Sequence, residues 1–103
     1  MRIDKLLWFL RFAMTRGAAQ RLVGEGHIRR NGERVTRLDQ PIAIGDVLTI
    51  PRGIGVAVIE IAALPGRRGP AAEAQAHYHT LDAGQRLALA GAPRPKSEGR
   101  NPS

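Results

Sequence analysis

Nine of the sixteen Lys and Arg residues fall within the first 37 positions of this 103-residue chain: Arg2, Lys5, Arg11, Arg16, Arg21, Arg29, Arg30, Arg34 and Arg37. Only Asp4, Glu25 and Glu33 oppose them there, whereas from residue 38 onward seven basic side chains meet six acidic ones. Nearly all of the formal +7 charge therefore sits in one segment. A Lys or Arg that neutralises a phosphate releases condensed counterions, so charge gathered in this way suits a polyanion. The cations are mixed with Leu, Ile and Val at helix and strand spacing, which assigns them to a folded surface rather than to a tail. With a sequence pI of about 11.5, the partners to consider are RNA, DNA and an anionic membrane.

Thr15-Arg16 is the sharpest element. A Thr at a helix N-cap leaves free N–H groups and the positive dipole end facing a phosphate, and an Arg in the first turn adds a planar fork. Capping alone explains Thr15, but not a cation at the helix end where cations are disfavoured. Gln20 follows Arg16 at i+4 on the same stripe. Arg21 is offset by about 100° and has Glu25 as an alternative partner. Lys5 and Arg11 project from a preceding helix, away from its Leu face. Asp4, acidic within the basic segment, reads as a cap or arginine partner, and Arg2 as the residue that holds it. Trp8 has the chemistry to stack on a base, but in a chain with one Trp, one Tyr and two Phe its expected place is the core. A second group is His27, Arg29, Arg30 and Asn31. Strand alternation turns Ile28 inward and His27 and Arg29 outward, with Arg30 on the face of Ile28 or in the turn. Asn31-Gly32 supplies positive φ, and Arg34 and Arg37 extend the strip.

Other chemistries lack their residues. There is no cysteine, which removes disulfides, zinc–thiolate sites and thiol catalysis. Glu73 and Asp82 have no second carboxylate with which to form an acid–base pair. His77 and His79 are spaced i, i+2, about 200° apart on a helix, wrong for a shared ion, and are expected in solvent. No Walker-type loop or nucleophile elbow is present. No cofactor is expected. The longest apolar run, Leu6 to Leu10, is too short to span a bilayer, and the basic stripe lacks a matching apolar face for lying on one. The N-terminal residues do not form a signal peptide, so the expected location is the cytoplasm.

Two short helices must position the first group. Ile3, Leu6, Leu7 and Leu10 follow the i, i+3, i+4, i+7 rule within Arg2–Arg11. Thr15 starts the second helix, Ala18, Ala19, Leu22 and Val23 form its inner face, and Gly24 or Gly26 ends it. The period then changes. His27–Arg30 and Arg34–Thr36 flank Asn31-Gly32, a strong hairpin signal. The turn Gly45-Asp46 leads to a strand Val47–Ile50, and Gly55–Ile61 is a further β-branched strand. The loop Leu64–Pro70 precedes an Ala-rich stretch, Ala71–His79, that reads as a helix with Pro70 at its start. From Ala92 the composition is that of a disordered tail.

These residues together are similar to a known pattern. Arg2-x-Asp4-Lys5-x-Leu7, Thr15-Arg16-x-x-Ala19, Gly26-x-Ile28-x-x-Asn31-Gly32 and Gly45-Asp46-x-Leu48 resemble the S4 RNA-binding domain, over roughly residues 1–50. That family is named after a small-subunit ribosomal protein and also occurs in pseudouridine synthases and tyrosyl-tRNA synthetases. Trp8 and Arg11 after the Asp-Lys pair, and Arg67-Arg68-Gly69-Pro70 before an Ala-rich segment ending in Tyr78, resemble the subgroup of stand-alone S4 proteins that contains a bacterial fifteen-kilodalton heat-shock protein. The tail here is shorter and less basic than in the longer members. The resemblance implies binding to the large ribosomal subunit, on stalled subunits that still carry a nascent chain on tRNA.

The expected fold is α+β: an αα-hairpin packed on a small, strongly bent antiparallel sheet, with an extra strand and a C-terminal helix. Residues 1–63 would form the S4-type domain with its following strand, 64–91 a loop and helix, and 92–103 a disordered tail. The expected RNA-binding set is Lys5, Arg11, Thr15, Arg16, Gln20, Arg21, His27, Arg29, Arg30 and Asn31, with no catalytic or metal residues. The expected partner of this monomer is ribosomal RNA of the large subunit, with bound tRNA as a further contact. The alternatives are a protein–protein adaptor and a module related to RNA-modifying enzymes.

Overall fold

The computed structural model describes residues 1–81; residues 82–103, which include the expected tail from Ala92 and the end of the 64–91 unit, lie outside the described residues. Helix α1 (Ile3–Phe9) and helix α2 (Arg16–Gly24) form the αα-hairpin. Ile3, Leu6, Leu7 and Leu10 are at most 2% exposed and share one core with Ala19 and Val23 of α2. Helix α1 takes no cap bond from the side chain of its N-cap residue, Arg2. Its first N–H groups donate instead to the carbonyls of the segment that returns beneath it, Ile3 to Gln40 at 2.9 Å and Asp4 to Leu38 at 3.4 Å. The positive end of α1 is thus occupied by the chain's own backbone. Helix α2 starts as the sequence predicts, with Thr15 Oγ1 accepting from the Ala18 N–H at 3.0 Å. That cap leaves the N–H groups of Arg16 and Gly17 without a partner among the described residues.

Five antiparallel strands follow, in the spatial order β2-β1-β3-β4-β5: β1 (Arg29–Arg30), β2 (Glu33–Arg34), β3 (Val47–Arg52), β4 (Gly55–Ile61) and β5 (Tyr78–Thr80). Asn31 at φ 52° and Gly32 at φ 87° form the two-residue turn that sets Arg30 opposite Glu33. Both central residues are left-handed, the turn whose twist matches the flanking strands. Leu48 and Ile50 of β3, with Ile59 and Ile61 of β4, turn one face of the sheet onto α1 and α2. Burying this shared apolar surface is the main force joining the helices to the sheet.

One element differs from the sequence reading. The helix expected over Ala71–His79 stops early: α3 covers Ala71–Gln75, and Tyr78–Thr80 runs as β5 along Ile59–Ile61. Alanine propensity favours continuing the helix, but tertiary pairing overrides it. The His77 carbonyl accepts from the N–H groups of Ala62 and Ala63, and the Tyr78 ring packs 5.3 Å from Phe12. His77 is consequently half-buried, with Nδ1 2.8 Å from the Glu73 carbonyl oxygen, while His79 is exposed. No helix among the described residues is long and apolar enough to cross a membrane.

Candidate nucleic-acid interface

The basic residues of the αα-hairpin are organised around one buried acid. Asp4 is fully buried beside the start of α1. Its Oδ1 accepts from Arg2 Nε at 2.6 Å and from the Lys5 N–H at 2.8 Å. Its Oδ2 accepts from Arg2 Nη2 at 3.0 Å and from Gln20 Nε2 at 3.1 Å. Arg16 Nε stands 3.6 Å from the same Oδ2, buried and without a hydrogen bond of its own among the described residues. Burial pushes the Asp4 carboxyl up, but the hydrogen bonds from Arg2, Gln20 and the Lys5 N–H, with the Arg16 charge, outweigh it and hold the group below the ordinary carboxylate range. The carboxylate therefore stays charged and draws residues from two helices together. With Nε turned inward, the terminal nitrogens of Arg16 remain for an outside anion, next to the free N–H groups at the start of α2.

The hairpin has a second organising acid, Asp46. Its carboxylate accepts from Arg30 Nε at 2.8 Å, from Asn31 Nδ2 at 3.2 Å and from the Ala43 N–H at 2.9 Å. Asn31 Oδ1 in turn accepts from the Val47 N–H at 2.8 Å. Burial raises the Asp46 carboxyl, and the Ala43 N–H, Arg30 and Asn31 more than reverse it, leaving the group below its usual range. Arg30 and Asn31 are thereby committed to holding the hairpin against the turn before β3. Arg29 is exposed and donates from Nη1 to the Gly32 carbonyl at 3.3 Å. It lies directly opposite Arg34 across the two strands. Two like charges at facing positions repel, and the pair concentrates positive potential on the exposed hairpin.

The expected residues thus divide. Arg16 and Gln20 meet around Asp4 through their side chains and Lys5 through its backbone N–H, and Thr15 caps the helix that carries Arg16 and Gln20. Arg2, read as the holder of Asp4, does hold it. Lys5 Nζ lies 5.3 Å from the Phe9 ring. Arg21 is exposed and makes no ion pair among the described residues; its alternative partner Glu25 instead has Oε1 3.3 Å from His27 Nε2. Arg11 is drawn away from the other cations, its Nε donating to the Gly69 carbonyl at 2.6 Å. Trp8 is half-buried against the core, as its expected packing role requires. Sequence reasoning missed Asp46 as an organiser and left Arg68 unassigned, although Arg68 Nε donates to the Trp8 carbonyl at 3.0 Å. The only signal for Asp46 was its place in Gly45-Asp46-x-Leu48, and Arg68 is sixty residues from its partner.

Comparison with known proteins agrees with this geometry. The S4 domain family matches residues 1–48. A heat shock protein 15 homolog of Haemophilus influenzae is 32% identical over 82 residues, covering 80% of this chain and 62% of that protein. Heat shock protein 15 of Escherichia coli K12 is 29% identical over 94 residues, covering 87% of this chain and 70% of the relative. The small ribosomal subunit protein uS4 of a Synechococcus is 42% identical over 50 residues, which cover 48% of this chain and 25% of that protein. The structure of Vibrio cholerae heat shock protein 15, solved as a trimer, superposes with a TM-score of 0.75 at 33% identity, covering 79% of this chain and 81% of that one. These matches show that the chain belongs to the heat shock protein 15 family of S4-domain proteins.

Proposed function

We propose that this chain binds structured RNA, with ribosomal RNA of the large subunit as its target, and that it acts in the rescue or recycling of stalled subunits that still hold peptidyl-tRNA. The observation that carries the reading is the Asp4 hub. A fully buried carboxylate, which also accepts from the Lys5 backbone N–H, fixes Gln20 and Arg16 at the capped start of α2 before any ligand arrives. Preorganised cations beside free helix N–H groups suit a phosphate backbone, and a rigid αα-hairpin reads the shape of that backbone rather than its bases. The relatives' names support a heat-shock and ribosomal setting, and a ribosomal target implies a cytoplasmic location. The role is recognition without bond making or breaking.

Sedimentation of lysate through a sucrose gradient tests the target. The protein is expected with free large subunits, and more of it after heat shock. Recovery at the top of the gradient in low salt, or with small subunits alone, would contradict this assignment. Light scattering of the pure protein distinguishes the expected monomer from a trimer like that of the Vibrio relative.

A further inference from the structure

We infer that residues beyond the S4-domain match build a second RNA contact, for an unpaired nucleotide, where the loop between β4 and α3 closes on the end of α1. The inference rests on the RNA-binding reading above and extends it. Two arginines clasp reciprocally here. Arg68 Nε donates to the Trp8 carbonyl at 3.0 Å, and Arg11 Nε donates to the Gly69 carbonyl at 2.6 Å. Each uses only Nε, so the outer edges of both guanidinium groups make no hydrogen bond among the described residues. The Arg68 guanidinium lies 6.0 Å from the centre of the Trp8 ring, and that of Arg52 lies 5.4 Å from the Phe12 ring. The patch continues through Phe9, 5.5 Å from Trp8, to Lys5 at the Asp4 hub.

Three features separate this patch from ordinary packing. Arg11, Arg52 and Arg68, like Arg21, Arg29 and Arg34, face no carboxylate among the described residues, but Arg52 and Arg68 each lie over an aromatic ring instead. Arg11 also sits at φ 67°, in the left-handed region just past α1 where Gly or Asn is usual. A position that glycine would fill more easily instead carries a cation, held by a loop from the far end of the fold. That loop is also tied to α3, because Arg67 Nη2 pairs with Glu73 Oε1 at 2.7 Å. A guanidinium close to a half-buried aromatic ring offers a splayed-out base a surface to stack on, with its phosphate taken by the guanidinium edges. A base inside a duplex cannot offer its face, so the ligand is an unpaired nucleotide of a strand whose duplex portion lies on the Asp4 hub.

The test uses the full chain and two RNAs, a blunt stem-loop and the same stem-loop with a short unpaired extension, followed by fluorescence anisotropy and by Trp8 emission. Trp8 is the single tryptophan, so its emission reports on this patch alone. The extended RNA is expected to bind more tightly and to quench Trp8. Arg68→Gln and Arg52→Gln should each weaken the extended RNA by about tenfold, the worth of one charge-assisted contact, while barely altering the blunt one. Arg52 makes only the ring contact, so Arg52→Gln keeps the test decisive if Arg68→Gln disturbs folding. Trp8 emission that ignores the extension, or variants that retain the wild-type difference between the two RNAs, would overturn this inference and leave the Asp4 hub untouched. A wild-type protein that binds neither RNA would overturn the RNA-binding reading, and this inference with it.

Discussion

Arg16 Nε and Asp4 Oδ2 lie 3.6 Å apart across the αα-hairpin, the cation partly exposed on α2 and the carboxylate fully buried beside α1. The contact is too long for a hydrogen bond but close enough for the buried charge to orient the guanidinium. Arg16→Ala is expected to weaken RNA binding by about 1–3 kcal/mol, as removal of a charged contact does. Its melting temperature should also fall modestly, because the buried Asp4 carboxylate loses one of the cations that offset its burial. Unchanged affinity in a folded variant, measured by filter binding, would place the gripping face elsewhere.

Lys5 contributes charge rather than geometry, since its ammonium lies over Phe9 and makes no ion pair among the described residues. Lys5→Ala should lower the slope of log K against log salt by about one. The effect should be equal on RNAs of different sequence, because phosphate contacts carry no base information. A slope that stays fixed would remove Lys5 from the interface.

Asp4→Asn should destabilise the fold by about 1–3 kcal/mol, because it leaves Arg2 and Arg16 without their charged acceptor. It should also weaken RNA binding by loosening Arg16 and Gln20. Denaturant unfolding checks the first effect and anisotropy the second. A variant of full stability and full affinity would show that the hub organises nothing.

The depressed carboxyls of Asp4 and Asp46 fix the direction of the pH response. A carboxyl whose folded pKa lies below its unfolded one contributes stability that is fully present above the unfolded value of about 3.9 and is lost as pH falls through the folded value. The wild-type protein should lose stability below about pH 4, and Asp4→Asn should lose less over the same interval. Parallel acid profiles for the two proteins would contradict this.

Asn31 is expected to act on stability rather than binding. Its side chain bonds Asp46 and the Val47 N–H while its backbone holds a positive φ. Asn31→Ala should cost about 1–3 kcal/mol of folding stability through the lost hydrogen bonds and the strained backbone. The RNA affinity of the folded variant should barely change. A variant of full stability, or one with weakened RNA binding at unchanged stability, would contradict this.

Local signals made the first half of the fold legible. The 3.6-residue spacing of Ile3, Leu6, Leu7 and Leu10, the Thr15 cap and the Asn31-Gly32 turn each act within a few residues, and each appears where the sequence places it. What the sequence concealed depends on contacts between distant segments. Tyr78–Thr80 becomes a strand because Ile59–Ile61 offers an open edge, which the alanine-rich composition does not reveal. Arg30 and Asn31 are expected at the RNA, and no local signal reveals that Asp46, sixteen and fifteen residues away, also accepts hydrogen bonds from their side chains. Arg11 looks like a neighbour of Arg16 until the Gly69 carbonyl, 58 residues away, claims it. Charge identifies which segment is basic, but only the fold shows that two buried carboxylates, Asp4 and Asp46, gather Arg2, Arg16 and Arg30 around them.

The salt dependence of binding between the wild-type protein and purified large-subunit ribosomal RNA tests the preformed cationic surface most directly. A linear fall of log K with log salt is expected, with a slope of roughly −3 to −5 for a face that grips several phosphates. Arg16→Ala and Lys5→Ala should each reduce the slope. A slope near zero, or no binding at low salt, would contradict the assignment of this surface to RNA.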